Sequence, residues 1–217
     1  MPTPAKGGRY HHGDLRAALI DTAVELIGER GVRNFSLAEA SRRLGVAGSA
    51  PYAHFADRDD LLAAVAVHAY ELFYAELLPE MNTFQTPADR LAAVARAYVR
   101  FAGTHRPLFE VLLGAGLDKA RHPEIAAAER PLDDAFLDSV HALSDGGTAQ
   151  SEDLAIAVEA AAHGHAMQLL DGSFGQGEEA VELAAERAAR ATLALVESRH
   201  LLGRPERRDR RSRRAGP

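Results

Sequence analysis

Apolar residues in this chain return every three or four positions, and nowhere do they alternate over a stretch long enough for a strand. The series Leu15, Leu19, Ala23, Leu26 and Ile27 places one stripe along a first helix. The spacing recurs in Leu37, Ala40 and Leu44, then in Leu61, Val65, Ala69, Leu72 and Phe73, and through most of the sequence beyond residue 86. A chain written this way has only stripes to bury, and helices must bury them against one another. The expected fold class is all-α, with about nine helices and no internal repeat.

Start and stop signals divide the pattern. Asp14 is a plausible cap for the first helix and Gly31 a good residue to end it. Ser36, with Glu39 three residues on, has the form of a capping box, and Gly45 closes that second helix. Residues 47–55 predict a short third helix, and a fourth runs from Asp57–Arg58 to Pro79. Thr86–Pro87 pairs a cap with proline at the first helical position, for a helix to about His105. Pro107 opens another to about Leu117, and Pro123 another to about Leu143. After the loop SDGGTAQ, Ser151 starts a helix that stops at Asp171–Gly172, and the last spans about 178–202.

Composition narrows the classes of function. The 217 residues are 47% apolar, enough for one or two domains with a real core. There is no cysteine, which excludes a disulfide framework, a thiolate zinc site and a cysteine nucleophile. The opening MPTPAKGGRYHHGD has no secretory apolar core, and no 18 apolar residues run together, so a soluble, cytoplasmic protein with no membrane partner is expected. Charge is uneven: residues 63–203 carry 10 basic and 21 acidic side chains, whereas 204–217 carry 7 and 2. A polyanion is therefore expected to meet an end of the chain rather than its middle.

Helix two, the Gly45 turn and helix three have the length and punctuation of a helix-turn-helix, in which the second helix reads DNA. The stretch is more specific than that. In order it supplies Glu29-Arg30-Gly31, Ser36, Gly45-Val46, Tyr52-Ala53-His54-Phe55, Asp57-Arg58 and Leu61-Leu62. This resembles, over about 50 residues, the homeodomain-like DNA-binding domain of the tetracycline-repressor (TetR/AcrR) family. HRPLFEVLLG at 105–114 and AAHGHAMQLLDG at 161–172 are similar to the WHG-type C-terminal domain of one branch of that family, with Glu159 about where its tryptophan would fall. The organisation expected is an arm at 1–13, a DNA-binding domain at 14–60, an effector-binding and dimerisation domain at 61–203 and a basic tail at 204–217.

Candidate DNA-binding residues follow. Gly48, Ser49 and Ala50 are small enough for a helix tip to approach phosphates or bases closely, or they simply make a weak helix start. Ser49 alone among them has a hydrogen-bonding side chain, which leaves DNA shape, flanking residues or the arm to supply specificity. The resemblance implies that Tyr52 puts its hydroxyl on a phosphate, that His54 lies near the DNA backbone and that Arg58 is the basic residue opening the fourth helix. The alternatives are a core tyrosine and a structural histidine, and Phe55 is read as core. Arg42 and Arg43 suit either phosphate or the negative end of their own helix. Ser36 can cap and donate to phosphate together, and Lys6 and Arg9 on the arm can enter a minor groove. The basic tail can add salt-sensitive affinity or be merely solvated.

No metal or cofactor is expected. His163 and His165 are two apart on a helix and face away from each other, and Asp118 and His122 flank a proline-bearing loop. The resemblance implies a homodimer built from the last two long helices, where Ala155, Ala157, Ala160, Ala161, Ala162, Gly164 and Ala166 permit close approach. It also implies a palindromic operator in double-stranded DNA and an unknown small-molecule effector. Candidate pocket residues are Phe73, Tyr74, Tyr98, Phe101, His105, Phe109, Leu112, His163 and Met167, each of which is otherwise plain core; an apolar lining suits a hydrophobic ligand. The competing functions are a DNA-binding architectural protein without an effector and an enzyme built on the C-terminal helices. Against the enzyme, GxSxG, P-loop, HExxH and dinucleotide fingerprints are all missing, and GSFGQG lacks the strand a phosphate loop needs.

Overall fold

The computed structural model describes residues 12–144 and 148–202, with side chains from Leu15 onward and excepting Thr148. Among them are eight α-helices and no strand: α1 His12–Arg30, α2 Leu37–Leu44, α3 Arg58–Met81, α4 Pro87–Thr104, α5 Arg106–Gly114, α6 Pro123–Ala142, α7 Thr148–Leu170 and α8 Glu178–Glu197. The expected ninth, over 47–55, is a single 3-10 turn at Ala50–Ala53. The arm, with Lys6 and Arg9, and the basic tail lie outside the described residues.

Several helix ends follow local chemistry. Ser36 Oγ accepts from the Glu39 N–H at 3.3 Å, and Thr86 Oγ1 accepts from the Asp89 N–H at 3.1 Å. Asp57 Oδ1 accepts from the N–H groups of Asp59 and Asp60 at 2.9 and 3.0 Å. Each satisfies donors that a helix start leaves unpaired. Gly45 ends α2 in the left-handed region, at φ 66°, with its N–H donating to Arg42 and that of Val46 donating to Ser41.

Five boundaries differ from expectation, one being the end of α8, at Glu197 rather than about residue 202. α1 begins at His12 rather than at Asp14. α3 runs through Pro79 to Met81 instead of stopping. Pro79 and Ala75, whose carbonyl loses its partner, are both on the exposed side, while Leu77 and Met81 are buried; packing on one face outweighs one bond missing on the other. α5 stops at Gly114, short of Leu117. Ser151 does not cap α7 but lies inside it, 7% exposed, because the helix begins at Thr148.

α4 is the central element, packed against α8, α7, α3, α6 and α5. At Gly103 an added Cβ would stand 2.7 Å from Val181 Cγ2 and 3.0 Å from Leu169 Cδ2, so the glycine is what lets α4 meet α7 and α8. α3 is long and apolar enough to cross a bilayer, with mean hydropathy 1.5 over its best window. Its apolar residues, among them Leu61, Leu62, Val65, Phe73 and Leu77, are instead buried in the bundle. One core extends from Leu15 in α1 through α3 and α4 to Ala188 in α8. A smaller cluster of Leu91, Val140, Leu154, Val158 and Val196 closes the far end.

Candidate nucleic-acid interface and sensor core

The reading unit is built on α1. Arg43 of α2 grips Glu29 of α1 with both terminal nitrogens at 2.7 Å, and Arg30 reaches Glu39 at 2.6 Å. The Arg43 hydrogen bonds hold the Glu29 carboxyl below its ordinary range, and Glu29 raises Arg43 in turn. Glu39 therefore spends its carboxylate on Arg30 rather than on the return half of a capping box. Phe55, 3% exposed, sits under the Arg16 guanidinium at 5.4 Å and fastens the 3-10 turn to α1.

Around this scaffold the candidate residues separate. Ser36, Arg42, Gly48, Ser49 and Tyr52 are exposed, Ala50 and His54 half-buried. The Tyr52 ring is 59% exposed, so it is no core tyrosine. The turn caps at Ser49, one residue later than the Gly48 cap expected, and Pro51 is buried at its second position. A proline there loses nothing, because a first-turn N–H has no helical partner. Arg42, with a side chain 74% exposed and 3.9 Å from Glu39, is an available cation.

Two expected phosphate ligands are committed elsewhere. Arg43 is bound bidentate to Glu29 and lies 3.6 Å from Glu25. Arg58 turns inward: Nη2 donates to the Val32 carbonyl at 2.5 Å and Nε to that of Phe35 at 3.2 Å. The anion that offsets the α3 dipole is its own cap, Asp57, and no phosphate is required. Sequence reasoning passed over Arg33, exposed on the 3-10 turn that leads into Ser36. The available signal was a lone cation between the buried anchors Val32 and Phe35.

The nine pocket candidates do not enclose one cavity. Phe73 stacks on Phe101 at 4.9 Å, Tyr98 meets Phe109 edge-on at 5.3 Å, and Phe101 meets His105 at 4.9 Å. The Tyr98 hydroxyl is 3.1 Å from His163 Nδ1, and His105 Nε2 is 2.8 Å from a Glu76 oxygen. Burial, with a contribution from Glu159, pushes the Tyr98 phenol up to about 12. These rings fill the space between α3, α4, α5 and α7. Tyr74 is half-buried and Met167 is 44% exposed. Leu112 borders an opening, a cleft of about 160 Å³ that Ala66, Tyr70, Val111, Leu117 and Ile125 also line. Aromatic spacing could not distinguish a filled core from an open pocket. Among the described residues no three His, Asp or Glu side chains gather as metal ligands. His165 turns its Nδ1 to the Ala161 carbonyl at 2.7 Å.

Comparison with known proteins matches this geometry. Residues 19–65 match the family described as bacterial regulatory proteins, tetR family, and residues 91–193 match the tetracyclin repressor-like C-terminal domain. The HTH-type transcriptional regulator BetI of Brucella anthropi is 29% identical over 79 residues, 36% of this chain and 41% of that protein. The chain thus spans about four tenths of the length of the curated relatives it matches. A protein of unknown function from Rhodococcus sp. RHA1 superposes with a TM-score of 0.70 at 28% identity, over 86% of this chain and 97% of its own. AibR, solved with isovaleryl coenzyme A and operator DNA, shares the fold with a TM-score of 0.62 at 19% identity, over 80% and 95%. With both halves matched in order along more than two thirds of its length, the chain belongs to the tetR family of bacterial regulatory proteins.

Proposed function

We propose that the protein is a homodimeric transcriptional regulator that binds a palindromic operator and is released from it by a small hydrophobic effector. The observation that carries the reading is the exposed Gly48-Ser49 tip with Tyr52 and the available cation Arg42, presented by a helix-turn-helix whose Arg43 and Arg58 are tied to its scaffold. Ser36, Arg42, Tyr52 and His54 are the residues assigned to phosphate and backbone contact, Gly48, Ser49 and Ala50 to close approach. Residues 14–60 form the reading domain, 61–203 the sensing and dimerising domain. The family is one of regulators rather than enzymes, and the cytoplasm is the compartment assigned to this chain's work on DNA.

The dimer reading is supported by the outer face of α7. Ile156 is 64% exposed and Met167 44%, with Ala160 and Gly164 exposed between them; no atom of a neighbouring element lies within 4 Å of a Cβ built at Gly164. On α8, Leu183 is 40% exposed. An apolar stripe with small residues at its centre suits a second copy of the same helices. A two-fold there sets the reading units about 34–36 Å apart, one turn of DNA.

The effector reading is supported by the aromatic cluster. Because the rings fill their space, a ligand has to favour a minor, opened conformation, and it acts by its differential affinity for that state.

The test is selection from random DNA with the purified protein across a salt series. Enrichment of a palindrome is expected. Recovery of no motif, with affinity set by salt alone, overturns the operator reading in favour of an architectural DNA-binding protein.

A further inference from the structure

The reading unit joins the body at the first turn of α3, where two adjacent side chains point in opposite directions. Arg58 faces the reading unit and holds the Val32 and Phe35 carbonyls of the α1–α2 connection. Asp57 faces the body. One of its oxygens caps α3, and the other accepts from Arg121 Nη2 at 2.5 Å. The same nitrogen lies 3.2 Å from Asp60 Oδ1, while Asp60 Oδ2 accepts from the Ala56 N–H at 2.9 Å. Both carboxylates thus fix the backbone of the turn and hold the guanidinium. Arg121 comes from the connection between α5 and α6, 61 to 64 residues along the chain. Its neighbour His122 is 4% exposed, with Nδ1 3.4 Å from Glu124 and 3.9 Å from Asp60.

The two units also share a core, in which α1 packs against α3 and α5, and one close approach lies at its edge. A Cβ at Gly28 of α1 would stand 3.1 Å from Pro107 Cγ of α5. That contact resists compression but offers little against separation, since dispersion falls away within an ångström. An ion pair resists separation over a longer reach. With the shared core holding the unit on the body, stop and tether trim its tilt about the start of α3.

We propose that Arg121 is a positioning residue that sets the angle at which each reading unit leaves the body, and with it the half-site spacing the dimer accepts. The inference rests on the dimeric, operator-binding reading above. Arg121 and Asp57 have side chains 48% and 46% exposed, so their pairing adds little to folding stability. Its effect on DNA is larger than its effect on stability, because a small tilt at the first turn of α3 is carried by the whole reading unit out to Tyr52. Spacing is a property of two units held in one frame; a single half-site makes no such demand.

The experiment uses the full chain and four kinds of synthetic duplex: the palindrome enriched from random DNA, one isolated half-site, and palindromes with base pairs inserted or deleted at the centre. Binding is followed by fluorescence anisotropy at one salt concentration. Wild-type protein should show a sharp spacing optimum. Arg121→Gln should lose on the order of tenfold on the optimal palindrome, a typical size for coupling between sites. It should lose less on altered spacings and keep its half-site affinity, and Arg121→Lys should recover part of the optimum. An unchanged spacing profile in Arg121→Gln, or equal losses on half-site and palindrome, overturns the inference alone. A wild-type protein that enriches no palindrome overturns the operator reading as well.

Discussion

Arg42 and Arg43 are neighbours in sequence with opposite fates in the fold. Arg43 is locked to Glu29, whereas Arg42 has a side chain 74% exposed. Each phosphate neutralised by a side chain releases counterions and steepens the dependence of affinity on salt. Arg42→Ala should therefore lower the slope of log affinity against log salt by about 1 per subunit, while Arg43→Ala leaves that slope unchanged. The two slopes, measured on one operator, check both assignments. Tyr52→Phe should weaken binding to all sequences alike, by roughly 1 kcal/mol per subunit, as expected for one hydrogen bond. A change in base preference would instead put its hydroxyl on a base. The fates of Arg43 and Arg58 were not legible in the sequence. Their partners lie 14 to 26 residues away, and local patterning carries no record of such pairings. The exposure of Tyr52 was expected from the family resemblance rather than from spacing, since Tyr52 and the buried Phe55 are three apart and helical periodicity alone puts them near one face.

Among the elements, those closed by chemistry within a few residues were the readable ones. Ser36, Asp57 and Thr86 cap, and Gly45 and Gly172 terminate, through contacts between near neighbours. Where a distant surface decided the outcome, local signals misled. Pro79 is overridden by the burial of Leu77 and Met81, and the segment 47–55 is too rich in small residues and proline to hold more than one 3-10 turn. The central helix offers a test at this scale. Gly103→Ala drives a methyl to 2.7 Å from Val181 and 3.0 Å from Leu169, so α4 must part from α7 and α8. Overpacking of this kind costs about 1–3 kcal/mol. Thermal unfolding should show a fall of about 2–4 °C for each kcal/mol.

Over the whole molecule, electrostatics gives stability a modest acid dependence. Asp57, Glu29 and Glu186 are held below their ordinary values by hydrogen bonds from Arg121, Arg43 and Arg96 respectively. Groups depressed in this way stabilise the fold above their unfolded values, 3.8 for aspartate and 4.5 for glutamate, and the gain is lost as pH falls through the folded values. Asp133 has the opposite sign. Burial and the charge of Glu129 raise it, so its ionised form destabilises, and protonation relieves that strain as pH falls through the raised value. Urea midpoints recorded downward from pH 7 should hold level or rise slightly before they decline modestly below about pH 4.5, since the pairs are exposed and screened. A steady decline from neutrality would contradict these assignments.

On the proposed effector reading, the rings between α3, α4, α5 and α7 also bear on sensitivity. Phe73 and Phe101 stacked at 4.9 Å, with Tyr98 wedged edge-on against Phe109, make the unliganded protein its own competitor for that space. The apparent affinity of any effector is its intrinsic affinity multiplied by the fraction of molecules already opened. The tighter the rings pack, the higher the concentration at which the switch responds, whatever the ligand's own contacts are worth. On that reading, ring packing is a threshold dial, one that sequence drift can turn by a methyl group at a time without altering the proposed operator contacts.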